Sequence, residues 1–213
     1  AGEAGIAYQP VQIGNLTSYT DLTGKYERYV PIGTYTVSYT PTGVYASYPL
    51  TTASSNSVSV VGVGITYQGG NYGLDLPAGS TNLAVNLLPH TTVTPGFPAW
   101  YDIQVCNIGI NPTGATVTMN YDPGLTYTFG SPVPTSVNTT AHVITWNLPT
   151  MTSGQCLYIQ ADFSASTSYQ IGDPTFEFCS AYPTSGTDID LTNNTDTVHQ
   201  IVTGSWDPNN KLS

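Results

Sequence analysis

Apolar and polar residues alternate along most of the chain, and turn-forming residues interrupt that alternation every eight to twelve positions. A period of two places every second side chain on one face of a pleated strand, whereas a helix needs a period near 3.6. No segment sustains the helical period. Short alternating runs bounded by Gly, Pro, Asn and Asp read as strands and turns, and many of them in series read as a sandwich or barrel. The chain is therefore expected to be all-β. Its 213 residues are enough for two small sandwiches, each with its own core.

In the first part the strands read as 8–13, 25–29, 34–39, 57–61 and 71–74. Asp21 is placed to cap the turn at 20–26, and Gly24 supplies positive φ there. Tyr35 and Val37 share a face. The stretch Leu76-Pro77-Ala78-Gly79-Ser80 is the best linker. Beyond it Leu83, Val85 and Leu87 share a face, as do Tyr101, Ile103 and Val105, and then Leu157, Ile159, Ala161 and Phe163. Asp122-Pro123-Gly124 is a strong turn, Trp146 lies on a strand over 143–148, Phe176 and Phe178 follow, and 197–202 closes the unit. The expected organisation is a first sandwich over 1–76, a second over 80–203 and a junction tail over 204–213.

Composition narrows the partners. Only 8% of residues are charged, with three Lys and Arg against thirteen Asp and Glu, for a net charge of −10. Nucleic-acid binding requires clustered cations, which Lys25, Arg28 and Lys211 do not supply. The same balance disfavours an anionic membrane surface. No apolar run reaches the ~18 residues that span a bilayer. With 39% hydrophobic residues and 16 tyrosines the chain has ample material for a core. The small, polar start at Ala1 has no signal peptide and is expected to be a mature end or a cut one.

The pattern Gly2-Glu3-Ala4-Gly5-Ile6, Pro10-Val11-Gln12-Ile13, Thr20-Asp21-x-x-Gly24-x-Tyr26, Gly33-x-Tyr35-x-Val37 and Asn71-Tyr72-Gly73-Leu74 resembles the B-repeat (Cna-B-like, carboxypeptidase-regulatory-like) domains of bacterial surface adhesins. That resemblance implies a prealbumin-like sandwich acting as a stalk. The second part resembles the immunoglobulin-like repeat modules of secreted Bacteroidetes surface proteins. It does so through Pro98-x-x-Tyr101-x-Ile103-x-Val105-x-Asn107-x-Gly109, Trp146-Asn147-Leu148, Asp190-x-x-Asn193-Asn194 and the terminal Gly204-Ser205-Trp206-Asp207-Pro208-Asn209-Asn210-Lys211. The family's junction carries Asp where Asn210 stands. Together the resemblances imply a secreted, cell-surface, non-catalytic protein whose partners are copies of itself or adjacent repeats.

In the B-repeat pattern Glu3 would be the last residue of an acidic calcium loop, the rest of which this sequence lacks. Calcium takes six to eight oxygens, so Glu3 alone does not hold it. A first sandwich short of its first strand has an open edge, and an open edge recruits strands. A neighbour's strand could complete it and build a filament. Asp188 and Asp190, in the oxygen-rich run 188–196, are the other calcium candidates, set against a plain Asx turn. No cofactor other than calcium is indicated.

Catalytic chemistry finds little support. His90, His142 and His199 lie in a Pro-rich loop and on strands, there is no G-x-S-x-G elbow, and short-looped sandwiches offer little cleft for a carboxylate pair. Cys106 ends one strand and Cys156 starts another, each opposite its strand's core-facing set. If the two strands are antiparallel neighbours, as in an immunoglobulin-like order, the sulfurs meet on one outer face. A Cys106–Cys156 disulfide is expected, with Cys179 free or intermolecular; three reduced thiols are the alternative. Relatives with isopeptide bonds use a core lysine, a role for which Lys25 and Lys211 are poorly placed. Asn15, Asn138 and Asn193 head N-x-S/T sequons, and Thr197 sits in an Asp-Thr-apolar pattern suited to O-linked sugar. Tyr45, Tyr48, Tyr67, Tyr72, Trp100 and Tyr158 are candidates to stack on surface glycans. The function expected is an extracellular structural or adhesive module. The alternatives are a self-assembling filament subunit and a carbohydrate-binding accessory module.

Overall fold

The computed structural model describes residues 5–204, and nearly all of its regular structure is strand. Two single 3-10 turns, Gly43–Tyr45 and Leu191–Asn193, are the helical pieces among the described residues. None is long or apolar enough to cross a membrane.

The first part is one antiparallel sheet. Its strands are β1 (Pro10–Ile13), β2 (Leu16–Tyr19), β3 (Gly33–Tyr39) and β4 (Ser55–Val60), in the order β2-β1-β3-β4. A two-residue turn, with Gly14 at φ +60°, joins β1 to β2. Val11, Ile13, Val37 and Tyr39 are buried on one face. The layer over them is extended chain rather than a second ladder. Residues 25–29 pair with no strand, and 71–74 contributes a single bridge, Leu74 to Leu50. Tyr26, Val30, Tyr72 and Leu74 nevertheless pack down onto the sheet. Loop-to-sheet bonds hold them: Tyr26 donates to the Gly70 carbonyl at 2.9 Å and Tyr72 to that of Val37 at 2.8 Å. At the Asp21 turn Oδ1 accepts from the Thr23 N–H and Oγ1 and from the Lys25 N–H, while Gly24 sits at φ +77°.

The second part is a two-sheet sandwich. One sheet contains β6 (Leu83–Pro89), β7 (Pro98–Asn107), β12 (Cys156–Ala165) and β9 (Leu125–Ser131), in the order β6-β7-β12-β9. The other contains β10 (Ser136–Asn138), β11 (Val143–Met151), β8 (Thr113–Asn120), β13 (Pro174–Pro183) and β15 (Thr195–Ile201), in the order β10-β11-β8-β13-β15. A short parallel pair, β5 (Ser80–Thr81) with β14 (Thr187–Asp188), lies at one end. Trp146, Tyr101 and Phe163 fill the interior, and the Trp146 indole N–H donates to the Pro132 carbonyl at 3.0 Å.

β13 turns its smaller side chains and a glutamate inward. Thr175, Glu177, Cys179 and Ala181 face the core, while Phe176 and Tyr182 are exposed. A strand's register fixes which parity is buried. Pairing with β8 sets Cys179 opposite Met119 and Ala181 opposite Val117. Small residues fit there because Trp146, Tyr101 and Phe163 already occupy the volume. Outside, Phe176 packs edge-on to its cross-strand neighbour His199 at 4.8 Å.

Candidate functional site

The strongest convergence of chemistry lies where the two parts meet. β7 and β12 pair with Cys106 directly opposite Cys156, and the two are disulfide-bonded. They lie on the outer face of their sheet, yet Cys106 is buried, because the first part covers it. Ala7 and Leu22 from the first part pack there with Ile108 and Ala84. The turn before β12 holds Gly154 at φ +76°, and a Cβ at that position would come within 2.8 Å of the Leu22 carbonyl oxygen. Close approach of the two turns thus requires glycine at 154.

A polar chain runs beside this apolar contact. Asn82 donates to the hydroxyl of the buried Tyr45 at 3.0 Å, and Asn193 donates to Asn82 Oδ1 at 2.9 Å. Burial pushes the Tyr45 phenol pKa up, which keeps it neutral. Asp188 Oδ2 accepts from the Leu83 N–H at 2.9 Å and from Asn194 at 3.0 Å, while its Oδ1 accepts from the Asp190 N–H. Asp190 Oδ1 accepts from the N–H and hydroxyl of Thr192. Both calcium candidates therefore already accept bonds from the backbone and side chains that shape the loop. Among the described residues no three His, Cys, Asp or Glu side chains gather as a metal would need. Glu3 lies outside the described residues, as do 205–213 of the junction.

The histidines are dispersed. His90 Nε2 lies 2.6 Å from Asp102 Oδ2 on the exposed sheet face. His142 sits at φ +54° with its ring edge-on to Tyr121, and His199 stacks outside β13. Among the described residues no serine hydroxyl bonds to any of them. Cys179 is free and buried in the sandwich core, where burial pushes its thiol up to about 12 and leaves it without thiolate character.

Glu177 is the residue that sequence reasoning missed. It is fully buried, and neither carboxyl oxygen has a hydrogen-bond partner. The nearby Tyr101 hydroxyl donates to Gln200 at 2.8 Å, and Tyr169 donates to Asp122. Burial, reinforced by the Asp122 carboxylate, raises the Glu177 pKa to about 7. The alternation over 174–183 leaves the parity of the strand open, so only the register reveals it.

The remaining candidates separate clearly. Asn15 is exposed in the β1–β2 turn, Asn138 is exposed at the end of β10, and Thr197 is exposed on β15. Asn193 spends its amide on Asn82, so a glycan there would break the polar chain. Tyr45 is buried, Tyr72 packs on Tyr39, and the Tyr67 hydroxyl accepts from the Val61 N–H, so these three serve the fold. Tyr48 is half-buried. Trp100 and Tyr158 are exposed on the outer face of β7 and β12, joined by Phe129 of β9. Trp100 and Phe129 flank Asp162 from opposite sides, and the Tyr158 hydroxyl accepts from Gln104 at 2.7 Å. A wide groove of about 1270 Å³ in the first part gathers Tyr19, Lys25, Arg28, Tyr35, Val63 and Tyr67.

No protein-family model matches the chain, and no curated protein does. Among solved structures it is similar to a CARDB domain from Pyrococcus furiosus, at 12% identity and a TM-score of 0.39, covering 58% of this chain and 95% of that one. It is also similar to a cohesin module from a family 33 glycoside hydrolase of Clostridium perfringens, at 8% identity and 0.41, covering 59% and 99%. The major pilin subunit of Bacillus cereus matches at 11% identity and 0.39, over 93% of this chain and 64% of that one.

Proposed function

We propose that this chain is a non-catalytic structural module of a bacterial cell-surface protein, working outside the cell as a stiff spacer. The observation that carries the reading is the Cys106–Cys156 disulfide beneath the contact between the two parts. Structural disulfides persist in oxidising compartments and are rare in the cytosol. This one underlies the surface that joins one part to the other, where a load-bearing rod needs stiffness. The polar side chains there support the same reading, since Tyr45 meets Asn82 across the joint while Asn193 and Asp188 are consumed in holding the strand and loop behind it. So does the sequence resemblance to B-repeat and immunoglobulin-like surface modules.

Thiol counting tests it. Natively purified protein, unfolded in alkylating reagent without reductant, should take up one label, at Cys179. Uptake of three labels would mean a reducing compartment and would overturn the extracellular reading.

Trp100, Phe129 and Tyr158 favour a second reading, binding of a neutral glycan. Exposed rings flanked by carboxylates and amides suit sugar faces and hydroxyls. Titration with neutral oligosaccharides should quench Trp100 fluorescence, and Tyr158→Ala should weaken binding. A flat titration across several such sugars removes this reading.

A further inference from the structure

We infer that β4 is a self-association edge, which pairs antiparallel with β4 of a second copy of the chain. This goes beyond the spacer reading, because a spacer need not pair sideways with anything.

The sandwich edges are protected. β6 has its Leu83 and Leu87 amides capped by the carboxylates of Asp188 and Asp196. β9 is bulged against β12, and β10 is only three residues long. β15 carries Asp196 and His199. These are the usual ways of blunting a strand edge.

β4 has none of them. It pairs with β3 without a bulge over six residues, Ser55–Val60, and contains neither charge nor proline. Antiparallel ladders alternate hydrogen-bonded and non-bonded pairs. The Tyr39 N–H bond to the Ser54 carbonyl, 2.9 Å, sets the phase. The backbone groups of Ser55, Ser57 and Ser59 therefore point to the open side, and no partner for them occurs among the described residues. Just beyond the strand, Val61, Val63 and Ile65 are exposed at 74%, 88% and 61%.

Charge selects a second copy as the occupant. The chain carries a net charge of −10, so two copies repel over most of their surfaces. Between Arg28 and Asp75, however, no Asp, Glu, Lys or Arg occurs. Both β3 and β4 fall within this stretch. The two strands themselves bring no like charges together, the charged residues that line the groove with Val58 and Val60 (Asp21, Lys25, Glu27 and Arg28) balance, and the stretch coincides with the unsatisfied edge. Pairing about Ser57 sets Ser57 opposite Ser57, and Ser55 opposite Ser59. The two four-stranded sheets become one, and the exposed valines gain cover.

Size-exclusion light scattering on the full chain, from low micromolar to near-millimolar concentration, is the test. The wild type should reach the mass of two 22.6 kDa chains. Ser57→Pro removes an outward N–H and no β3 bond, so it should keep the far-UV spectrum and remain at one chain's mass. Ser57→Glu sets like charges face to face and should do the same. Oxidised Ser57→Cys should give a covalent dimer on a non-reducing gel. A wild type of single-chain mass throughout, an oligomer undiminished in both Ser57→Pro and Ser57→Glu, or an oligomer that Ser57→Cys fails to cross-link would each overturn the proposal. Thiol counting is independent of all three outcomes, so the spacer reading stands or falls separately.

Discussion

The two parts of the chain use the same strand grammar and arrive at very different cores. The sandwich closes two sheets over Trp146, Tyr101, Phe163 and some twenty smaller buried neighbours. The first part buries four side chains on a single sheet and covers them with loops tied by tyrosine hydroxyls. Hydrophobic stabilisation follows apolar area removed from water, so the sandwich should stand on its own core. The first part depends on its contact with the sandwich, through Ala7 and Leu22 over the disulfide and through Tyr45 against Asn82. A chain built this way has one end that stands on its own core and one end whose stiffness comes from its contact with the other.

The largest effects should come from the end that stands on its own core. Trp146→Ala should cost about 3–5 kcal/mol and lower the denaturant midpoint of the whole chain by circular dichroism. Tyr39→Ala should instead loosen the first part alone, with hydrogen exchange accelerating over 10–60 and leaving 83–202 protected. Global unfolding by Tyr39→Ala would show that the two parts form one cooperative unit. Next comes the disulfide. The loop it closes spans 50 residues of sequence, and its loss in a Cys106→Ala, Cys156→Ala double variant should cost about 2–4 kcal/mol. Because the bond underlies the joint, exchange at Ala7 and Leu22 should quicken first. Slowed or unchanged exchange there would separate the disulfide from the joint.

How much of this was legible depended on whether a feature was local. The all-β class followed from the period of two. Within the sandwich the inward sets of β6, β7 and β12 followed from alternation, because each strand carries unambiguous apolar residues on one parity. The disulfide followed from placing strand ends beside each other, which an immunoglobulin-like order dictates. β13 was not legible. Both of its parities look plausible, and the choice was made by volume already filled from other strands. The loop layer of the first part was hidden for a related reason. Residues 25–29 follow a turn and read as a strand, but a strand also needs a partner edge, which the sequence does not report. Beside the joint, Asp188 and Asp190 read in the sequence as calcium candidates or as Asx-turn residues, and the sequence leaves that choice open because a carboxylate that caps backbone amides and one that waits for calcium have the same letters.

The buried acid sharpens the contrast through pH. Folding carries Glu177 from its ordinary 4.5 to about 7. Below 4.5 the carboxyl is neutral in both states, so burial carries no ionisation penalty there. Between 4.5 and 7 the unfolded chain releases the proton that the folded chain keeps, so stability falls as pH rises through this window. The loss should total roughly 3–4 kcal/mol, and Glu177→Gln should flatten it. Asp21 runs the other way. The Thr23 hydroxyl and the Lys25 N–H hold its carboxyl below 3.8, so its contribution is present above that value and fades as pH falls. Protection of the sandwich should therefore improve on mild acidification, while that of the Asp21 turn declines only in stronger acid. Residue-resolved exchange at two pH values reads both, and a sandwich that weakens between pH 7 and pH 5 contradicts the assignment to Glu177.

The smallest effect is the most specific to the joint. Tyr45→Phe removes one hydroxyl and nothing else, leaving the ring in its buried place. Asn82 then keeps its bond from Asn193 but loses the acceptor for its own amide. An unpaired buried donor costs about 1–2 kcal/mol. If the first part leans on the sandwich, that cost should appear as faster exchange in the first part with the sandwich midpoint unchanged. Asn82→Ala removes the donor as well, so the double variant should be little worse than Asn82→Ala alone, with a coupling energy close to the whole cost of Tyr45→Phe. Strict additivity would mean that the two side chains do not communicate, and the joint would then rest on the apolar contact over Cys106 and Cys156 alone.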